Sequence, residues 1–74
     1  MIGRAEFYAE DEIASVPCQR CGSPSSQQWQ VCALDNRWLG ICTDCDIDLN
    51  ATTLKFMRVP EADALIAAYA EARK

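Results

Sequence analysis

Five of the 74 residues are cysteines, and four of these form two Cys-x-x-Cys pairs. Cys18 and Cys21 make the first pair, and Cys42 and Cys45 make the second after an interval of twenty residues. Two pairs at this separation are typical of a zinc site, in which four thiolates surround one ion tetrahedrally. Four protein ligands leave no open coordination position for a substrate. The spacing therefore predicts one structural Zn²⁺.

Other chemistry is compatible with the same thiolates. Tetrahedral sulfur sites suit iron as well as zinc, so the sequence does not separate these metals. A redox Cys-x-x-Cys motif belongs to a thioredoxin-like unit, which a chain of this length is too short to build. Cys32, the fifth cysteine, is expected to be a small buried residue, because free cysteine behaves as a small hydrophobe.

The first pair is predicted to lie in a tight turn. In the segment 17–22 a glycine directly follows Cys21, and such turns need a residue that tolerates positive φ. We therefore expect a zinc knuckle, in which backbone N–H groups point at the thiolates.

The second pair is predicted to lie at the start of a helix over residues 43–58. Thr43 is followed three residues later by Asp46, a spacing that resembles a capping box. Cys42 then precedes the helix and Cys45 lies in its first turn, where the helix dipole and unpaired N–H groups favour thiolate over thiol.

A β-hairpin is predicted between the two pairs. Residues 28–34 alternate, with Trp29 and Val31 on one face, and residues 38–41 form the return strand after a turn at 35–37. A hairpin alone is marginal in water, so it must pack on another element.

Knuckle, hairpin and a helix that supplies two ligands form the layout of a treble-clef zinc finger. A zinc ribbon, with two knuckles and a third strand, fits the helical residues 44–57 less well. The predicted fold class is therefore a small zinc-stabilised α+β domain, treble-clef-like, with an additional C-terminal helix.

The central helix has two apolar faces at 100° per residue and needs a cover for each. One face, Cys45, Leu49 and Phe56, is expected to look at the metal and the hairpin; the other consists of Ile47, Leu54 and Met57. A C-terminal helix starting at Pro60 supplies an apolar stripe, formed by Ala62, Leu65, Ile66 and Tyr69. Packing the stripe inward suits a chain with little core, whereas an outward stripe would dock a partner or a second copy.

Three parts of the chain follow from this pattern. Residues 1–17 are an acidic N-terminal arm, and residues 18–58 are the zinc-binding module. Residues 59–74 are a C-terminal helix that packs on the module or on a partner.

Composition argues against several classes of function. The formal net charge is −4 and no basic patch interrupts it, so the sequence disfavours nucleic-acid binding without excluding it. The chain contains no histidine and no nucleophile with an identifiable base, so we expect no enzyme. The first nine residues lack the layout of a secretory signal, and no segment approaches the roughly 18 apolar residues of a membrane helix. These features predict a cytoplasmic protein that does not enter a membrane.

One part of the chain resembles a known group of proteins. Residues 42–50, Cys-Thr-Asp-Cys-Asp-Ile-Asp-Leu-Asn, with Leu-Lys-Phe-Met at 54–57, are similar to small uncharacterised zinc-finger proteins of bacteria and their phages, of the treble-clef type. With the knuckle, the resemblance covers residues 17–58. It implies a treble-clef-like finger with one zinc on the four paired cysteines, and no established activity.

Two functions remain open. The preferred one is a protein–protein adaptor, regulator or inhibitor, whose candidate partner-binding residues are Glu10, Asp11, Glu12, Leu65, Ile66 and Tyr69. An acidic arm of this kind could attract a basic protein electrostatically. The rival is a nucleic-acid-binding finger that uses Arg20, Arg37, Lys55 and Arg58. Homodimerisation through the C-terminal stripe is compatible with either function.

Overall fold

The computed structural model describes residues 7–9 and 11–73. Its regular elements are the strands β1 (Gln27–Val31) and β2 (Arg37–Ile41), followed by the helices α1 (Thr43–Phe56) and α2 (Ala62–Arg73). The chain divides into two compact units, residues 1–42 with the strands and residues 43–74 with the helices. The small α+β class is thereby confirmed; the three-part division stays a prediction. Within the described residues, no helix combines the length and apolar character needed to cross a membrane.

β1 and β2 form an antiparallel two-stranded hairpin. The register sets Trp29 opposite Leu39 and Trp38 opposite Gln30. Because opposed residues share a face and neighbours along a strand alternate, the two tryptophans lie on opposite faces. The Phe7 ring contacts Trp38 edge-on, with 5.3 Å between ring centroids and 78° between ring planes. Both tryptophans are half-buried.

The side chain of Gln28 holds the segment 7–9 against the hairpin. Its Oε1 accepts the Tyr8 backbone N–H at 2.7 Å, and its Nε2 donates to the Tyr8 carbonyl. Both backbone groups of Tyr8 are therefore paired, as they would be in a strand. This segment is the described beginning of the predicted arm; residues 1–6 and 10 lie outside the described part.

β1 ends earlier than predicted, at Val31, and Cys32–Leu34 forms a single 3₁₀ turn. Asp35 and Asn36 then adopt positive φ values of 56° and 64°, which Asp and Asn tolerate better than most residues. Their N–H groups donate to the carbonyls of residues 32 and 31 at 3.1 Å each. The predicted strand extends to residue 34 because it continues the alternation of faces through this turn.

α1 begins at Thr43 as predicted but ends at Phe56, two residues early. Arg58 has a φ of 54°, and its N–H donates to the Lys55 carbonyl at 3.1 Å. The N–H of Val59 donates to the Leu54 carbonyl at 3.0 Å. These two bonds form a Schellman motif, which normally has glycine at the left-handed position.

α2 begins at Ala62 rather than at Pro60, which corrects the predicted start. Glu61 has a φ of 60°, outside the helical region, and its carbonyl accepts the Leu65 N–H at 3.1 Å. The first helical residue therefore follows Glu61. Leu65 is 48% exposed, whereas Ile66 is half-buried.

The second unit is built around a buried carboxylate. Asp46 on α1 is 1% exposed and is the most deeply buried large side chain of the described residues. The hydroxyl of Tyr69 and the side-chain amide of Asn50 donate to its two oxygens, and Arg73 Nε lies 3.7 Å from Oδ2. The apolar faces expected on α1 are partly open, since Phe56 is 81% and Met57 64% exposed. A polar cluster thus joins α1 to α2.

Candidate metal centre

Cys18 and Cys21 lie in a narrow turn whose neck is the antiparallel bridge between Pro17 and Pro24. The Cys18 N–H donates to the Ser23 carbonyl at 2.6 Å, and the N–H of residue 22 donates back to the Cys18 carbonyl at 2.9 Å. This is the turn that the knuckle pattern predicted.

Gly22 is needed for its backbone conformation. Its φ is 84°, a value that residues with a side chain rarely adopt. A Cβ at this position would meet nothing within 4 Å. Glycine is therefore required at position 22 for its backbone conformation, and not because a side chain would lack space.

The second pair lies where β2 passes into α1. Cys42 directly follows the last residue of β2, and Cys45 is the third residue of α1. The Gln19 N–H donates to the Gly40 carbonyl at 2.9 Å, which ties the knuckle to β2 next to Cys42.

The structure brings the four paired cysteines together. Their sulfur atoms all lie within 4.8 Å of one another, and the Sγ atoms of Cys21 and Cys42 are 3.6 Å apart. A tetrahedral zinc with Zn–S bonds near 2.3 Å requires sulfurs about 3.8 Å apart. The widest sulfur–sulfur separations of the cluster would shorten by about 1 Å on binding such an ion. Four clustered cysteines that could hold a metal ion are therefore present, and this donor set suits zinc or iron alike.

The four thiols differ in exposure. Cys18 is 3% and Cys45 7% exposed, Cys42 is half-buried, and Cys21 is exposed. No disulfide joins any of the five cysteines, all of which lie among the described residues. The cluster thus has a closed side and an open side.

Local hydrogen bonds favour the thiolate form in the knuckle. The backbone N–H groups of Cys42 and then Cys21 lower the pKa of Cys18 from 9.0 to about 6, against the opposing effect of burial. The hydroxyl and then the backbone N–H of Ser23 lower the pKa of Cys21. Metals bind thiolates rather than thiols, so these donors prepare the site for a cation.

Cys32 lies outside the cluster, and the expectation that it is buried is wrong. It is exposed because the chain leaves β1 at the preceding residue and turns. A residue in this 3₁₀ turn has no hairpin face against which to pack.

The partner-binding candidates occupy different environments. Asp11 and Glu12 are exposed, and Glu12 accepts the Ala9 N–H at 3.1 Å; Glu10 lies outside the described residues. On α2, Leu65 is exposed, whereas Tyr69 is half-buried and bonded to Asp46. Within the predicted C-terminal stripe, Tyr69 therefore faces α1 and not a partner.

The cationic candidates for nucleic-acid contact are scattered over different elements. Arg20 lies in the knuckle, Arg37 opens β2 and Arg58 follows α1. Lys55 Nζ lies 3.8 Å from the Asp63 carboxylate, so part of its charge is offset.

Sequence reasoning missed the cluster of Asp46, Tyr69 and Arg73. The sequence pattern assigned Asp46 to a capping box at the start of the helix, although the residue is buried. The available signal was the i, i+4 spacing of Tyr69 and Arg73 on one face of α2; the Arg73 guanidinium lies 5.6 Å from the Tyr69 ring centroid. Hydrogen bonding to Asp46 and then burial raise the pKa of Tyr69.

Comparison with known protein families, with curated proteins and with solved structures finds no match for this chain.

Proposed function

We propose that the chain binds one structural Zn²⁺ through its four clustered cysteines in a treble-clef-like arrangement, and acts without catalysis as a protein–protein adaptor, regulator or inhibitor. The observation that supports the metal is the gathering of four thiol sulfurs within 4.8 Å. Bound there, the ion would cross-link the knuckle and the segment around Cys42 and Cys45.

The composition of the core supports a structural role for the metal. Among the described residues, the buried apolar residues are Ile13, Cys18 and Cys45, at 7%, 3% and 7% exposure, and two of these three belong to the cysteine cluster. A chain of 74 residues is near the size at which a metal or another cross-link is needed for stability. The metal site thus takes the place of an apolar core.

Hydrogen-bond donors of the chain would stabilise the thiolates that hold the ion. The N–H groups of Cys42 and Cys21 stabilise negative charge on Cys18, and the Ser23 hydroxyl does so on Cys21. Four ligands complete a tetrahedral shell, so no position remains for a substrate. This is the physical basis for proposing a non-enzyme.

The surface supports a protein partner. Several large apolar side chains are exposed, namely Phe7, Leu34, Phe56, Met57 and Leu65. The chain carries a net charge of −4, and Asp11 and Glu12 are exposed near its start. Such a surface complements a partner that is basic and partly apolar.

The metal is tested by replacing one ligand and one cysteine outside the cluster. Cys45→Ser should lose zinc and unfold, because metal-binding energy is folding energy in a domain of this kind. Cys32→Ser is the matched control and should keep both zinc and the fold. Zinc content by elemental analysis and thermal unfolding by circular dichroism measure the two effects. A stable, zinc-free Cys45→Ser protein would contradict the structural metal.

The adaptor role is tested by affinity capture from the native host, with zinc present throughout. The first variant neutralises the acidic arm at Glu6, Glu10, Asp11 and Glu12. A charge-matched control neutralises exposed acidic residues elsewhere, namely Asp35, Asp44, Glu61 and Glu71. We expect the arm variant alone to lose a stoichiometric partner. Equal capture by both variants would contradict the role of the arm.

A further inference from the structure

The open side of the cysteine cluster contains two sulfur atoms in close approach. Cys21 is exposed and Cys42 half-buried, and their Sγ atoms are 3.6 Å apart. The remaining pair, Cys18 and Cys45, is only 3% and 7% exposed. Solvent reagents therefore reach one thiol from each Cys-x-x-Cys motif.

We propose that Cys21 and Cys42 form an oxidation site for small peroxides. Oxidation joins the two cysteines in a disulfide across the two motifs and releases the metal ion. This inference rests on the zinc site proposed above. A disulfide has an S–S length near 2.05 Å, so the two sulfurs must approach by about 1.5 Å. Cys21 has room for this movement because its side chain is exposed.

The pairing across motifs follows from exposure. A disulfide within the first motif would use buried Cys18, and one within the second would use buried Cys45. Oxidation of cysteine depends on thiolate character and on access of the oxidant. The pair of Cys21 and Cys42 combines access with a sulfur–sulfur distance of 3.6 Å.

The reaction balances with hydrogen peroxide as the oxidant. The Cys21 thiolate attacks one peroxide oxygen, the O–O bond breaks, and a sulfenic acid and hydroxide form. The Cys42 thiolate then attacks the Cys21 sulfur and displaces a second hydroxide as the S–S bond forms. The two sulfurs together lose two electrons, peroxide gains them, and two protons from solvent convert the hydroxides to water.

Loss of two donors removes the metal. The cluster would keep only the thiolates of Cys18 and Cys45, which do not complete a tetrahedral shell. Folding energy supplied by the metal is lost at the same time. The exposed edge of the site thus makes the fold sensitive to oxidant.

The test uses the zinc-loaded full-length Cys32→Ser chain, in which each remaining cysteine can be located. Trypsin cuts after Arg20 and Arg37, and an Asp-specific protease cuts before Asp35, Asp44 and Asp46, so the four cluster thiols fall on four different peptides. Zinc content is measured before hydrogen peroxide is added. A chromogenic zinc chelator then follows release, and mass spectrometry of the non-reduced digest identifies the linked peptides. Wild type is oxidised in parallel.

We expect loss of the bound zinc together with one dominant cross-link, Cys21 to Cys42, and recovery of both zinc and thiols after reductant and zinc are added. A dominant cross-link that uses Cys18 or Cys45, or zinc retained while peroxide is consumed, would overturn the proposal. In wild type, a dominant cross-link to Cys32 would also overturn it. Absence of zinc before oxidation would refute the metal site instead, and the peptide map of the metal-free chain would still test the pairing.

Discussion

Arg58 occupies a backbone position that glycine adopts at lower cost. Its φ of 54° places it at the left-handed position of the Schellman motif that ends α1. A side chain in this conformation costs roughly 1 kcal/mol. We therefore expect Arg58→Gly to stabilise the zinc-loaded protein by about 0.5 kcal/mol, after the entropy that glycine adds to the unfolded chain. Urea unfolding measures the difference.

Lys55→Gly is the control for Arg58→Gly. Lys55 is an exposed cation in the last turn of α1, where glycine should destabilise by about 0.7 kcal/mol. Destabilisation of similar size by both substitutions would show that the left-handed position carries no strain.

Two glycines of the first unit are required for different reasons. Gly22 has a φ of 84° and open space around its missing Cβ. At Gly40 a Cβ would overlap the Ser25 hydroxyl and lie 3.0 Å from Val16 Cγ1. We expect Gly22→Ala to cost about 1 kcal/mol through strain, and Gly40→Ala to cost more through overlap with its neighbours.

A second substitution separates strain from overlap. In a Ser25→Gly background, which removes the atoms nearest to the missing Cβ of Gly40, part of the loss from Gly40→Ala should disappear. The loss from Gly22→Ala should be unchanged, since the two effects are independent. Equal recovery of both variants in thermal unfolding would contradict this assignment.

At the scale of elements, the contact between α1 and α2 depends on the bond from Tyr69 to Asp46. Tyr69→Phe leaves a carboxylate that is 1% exposed with one donor fewer. Removing one partner of a buried polar group costs roughly 1–3 kcal/mol. Tyr8→Phe is the matched control, because Tyr8 bonds to the Gln28 side chain through its backbone and not through its hydroxyl. Equal stability of both variants in urea would exclude this role for Tyr69.

The same bond predicts a loss of stability in alkali. The pKa of Tyr69 is raised above its usual value of 10.0, first by the bond to Asp46 and then by burial. The folded state therefore favours the neutral phenol, and its stabilisation is complete below pH 10 and lost as pH rises through the higher folded pKa. A urea midpoint that falls above pH 10 in wild type, but falls less in Tyr69→Phe, is the expected result. Parallel alkaline losses would assign the effect to other groups.

Local sequence signals predicted the start of α1, but not the ends of β1 and α1 or the start of α2. The start of α1 at Thr43 follows from a local capping pattern. The ends of β1 and α1 and the start of α2 depend on positive φ at residues 35, 36, 58 and 61. Asn and Asp often adopt this conformation, but Arg58 and Glu61 carry no such preference. Their conformation is set by how the chain reverses between two packed helices, which a sequence window does not contain.

The four-cysteine cluster was predictable because metal ligands are few, chemically specific and regularly spaced. The structure confirms that the four cysteines lie together. The identity of the ion and the treble-clef arrangement stay proposals. The buried Asp46 was not predictable by the same route. Helical periodicity sorts residues by polarity, so a carboxylate held inside by Tyr69 and Arg73 is assigned to the surface.

For the molecule as a whole, net charge is the property that best distinguishes a protein–protein adaptor from a nucleic-acid-binding finger. The chain carries −4, and four thiolates around Zn²⁺ would add two further negative charges. Nucleic-acid binding needs cations that displace phosphate counterions, yet Lys55 lies 3.8 Å from Asp63 and the arginines are spread over separate elements. We therefore expect no binding of the zinc-loaded chain to DNA or RNA oligonucleotides at ~50 mM salt by fluorescence anisotropy. Binding that weakens steeply with salt, and weakens further in Arg20→Gln or Arg37→Gln, would favour the nucleic-acid function. Binding that persists in both variants would point to adventitious contacts, because a phosphate-contacting arginine contributes to the salt slope when it is present.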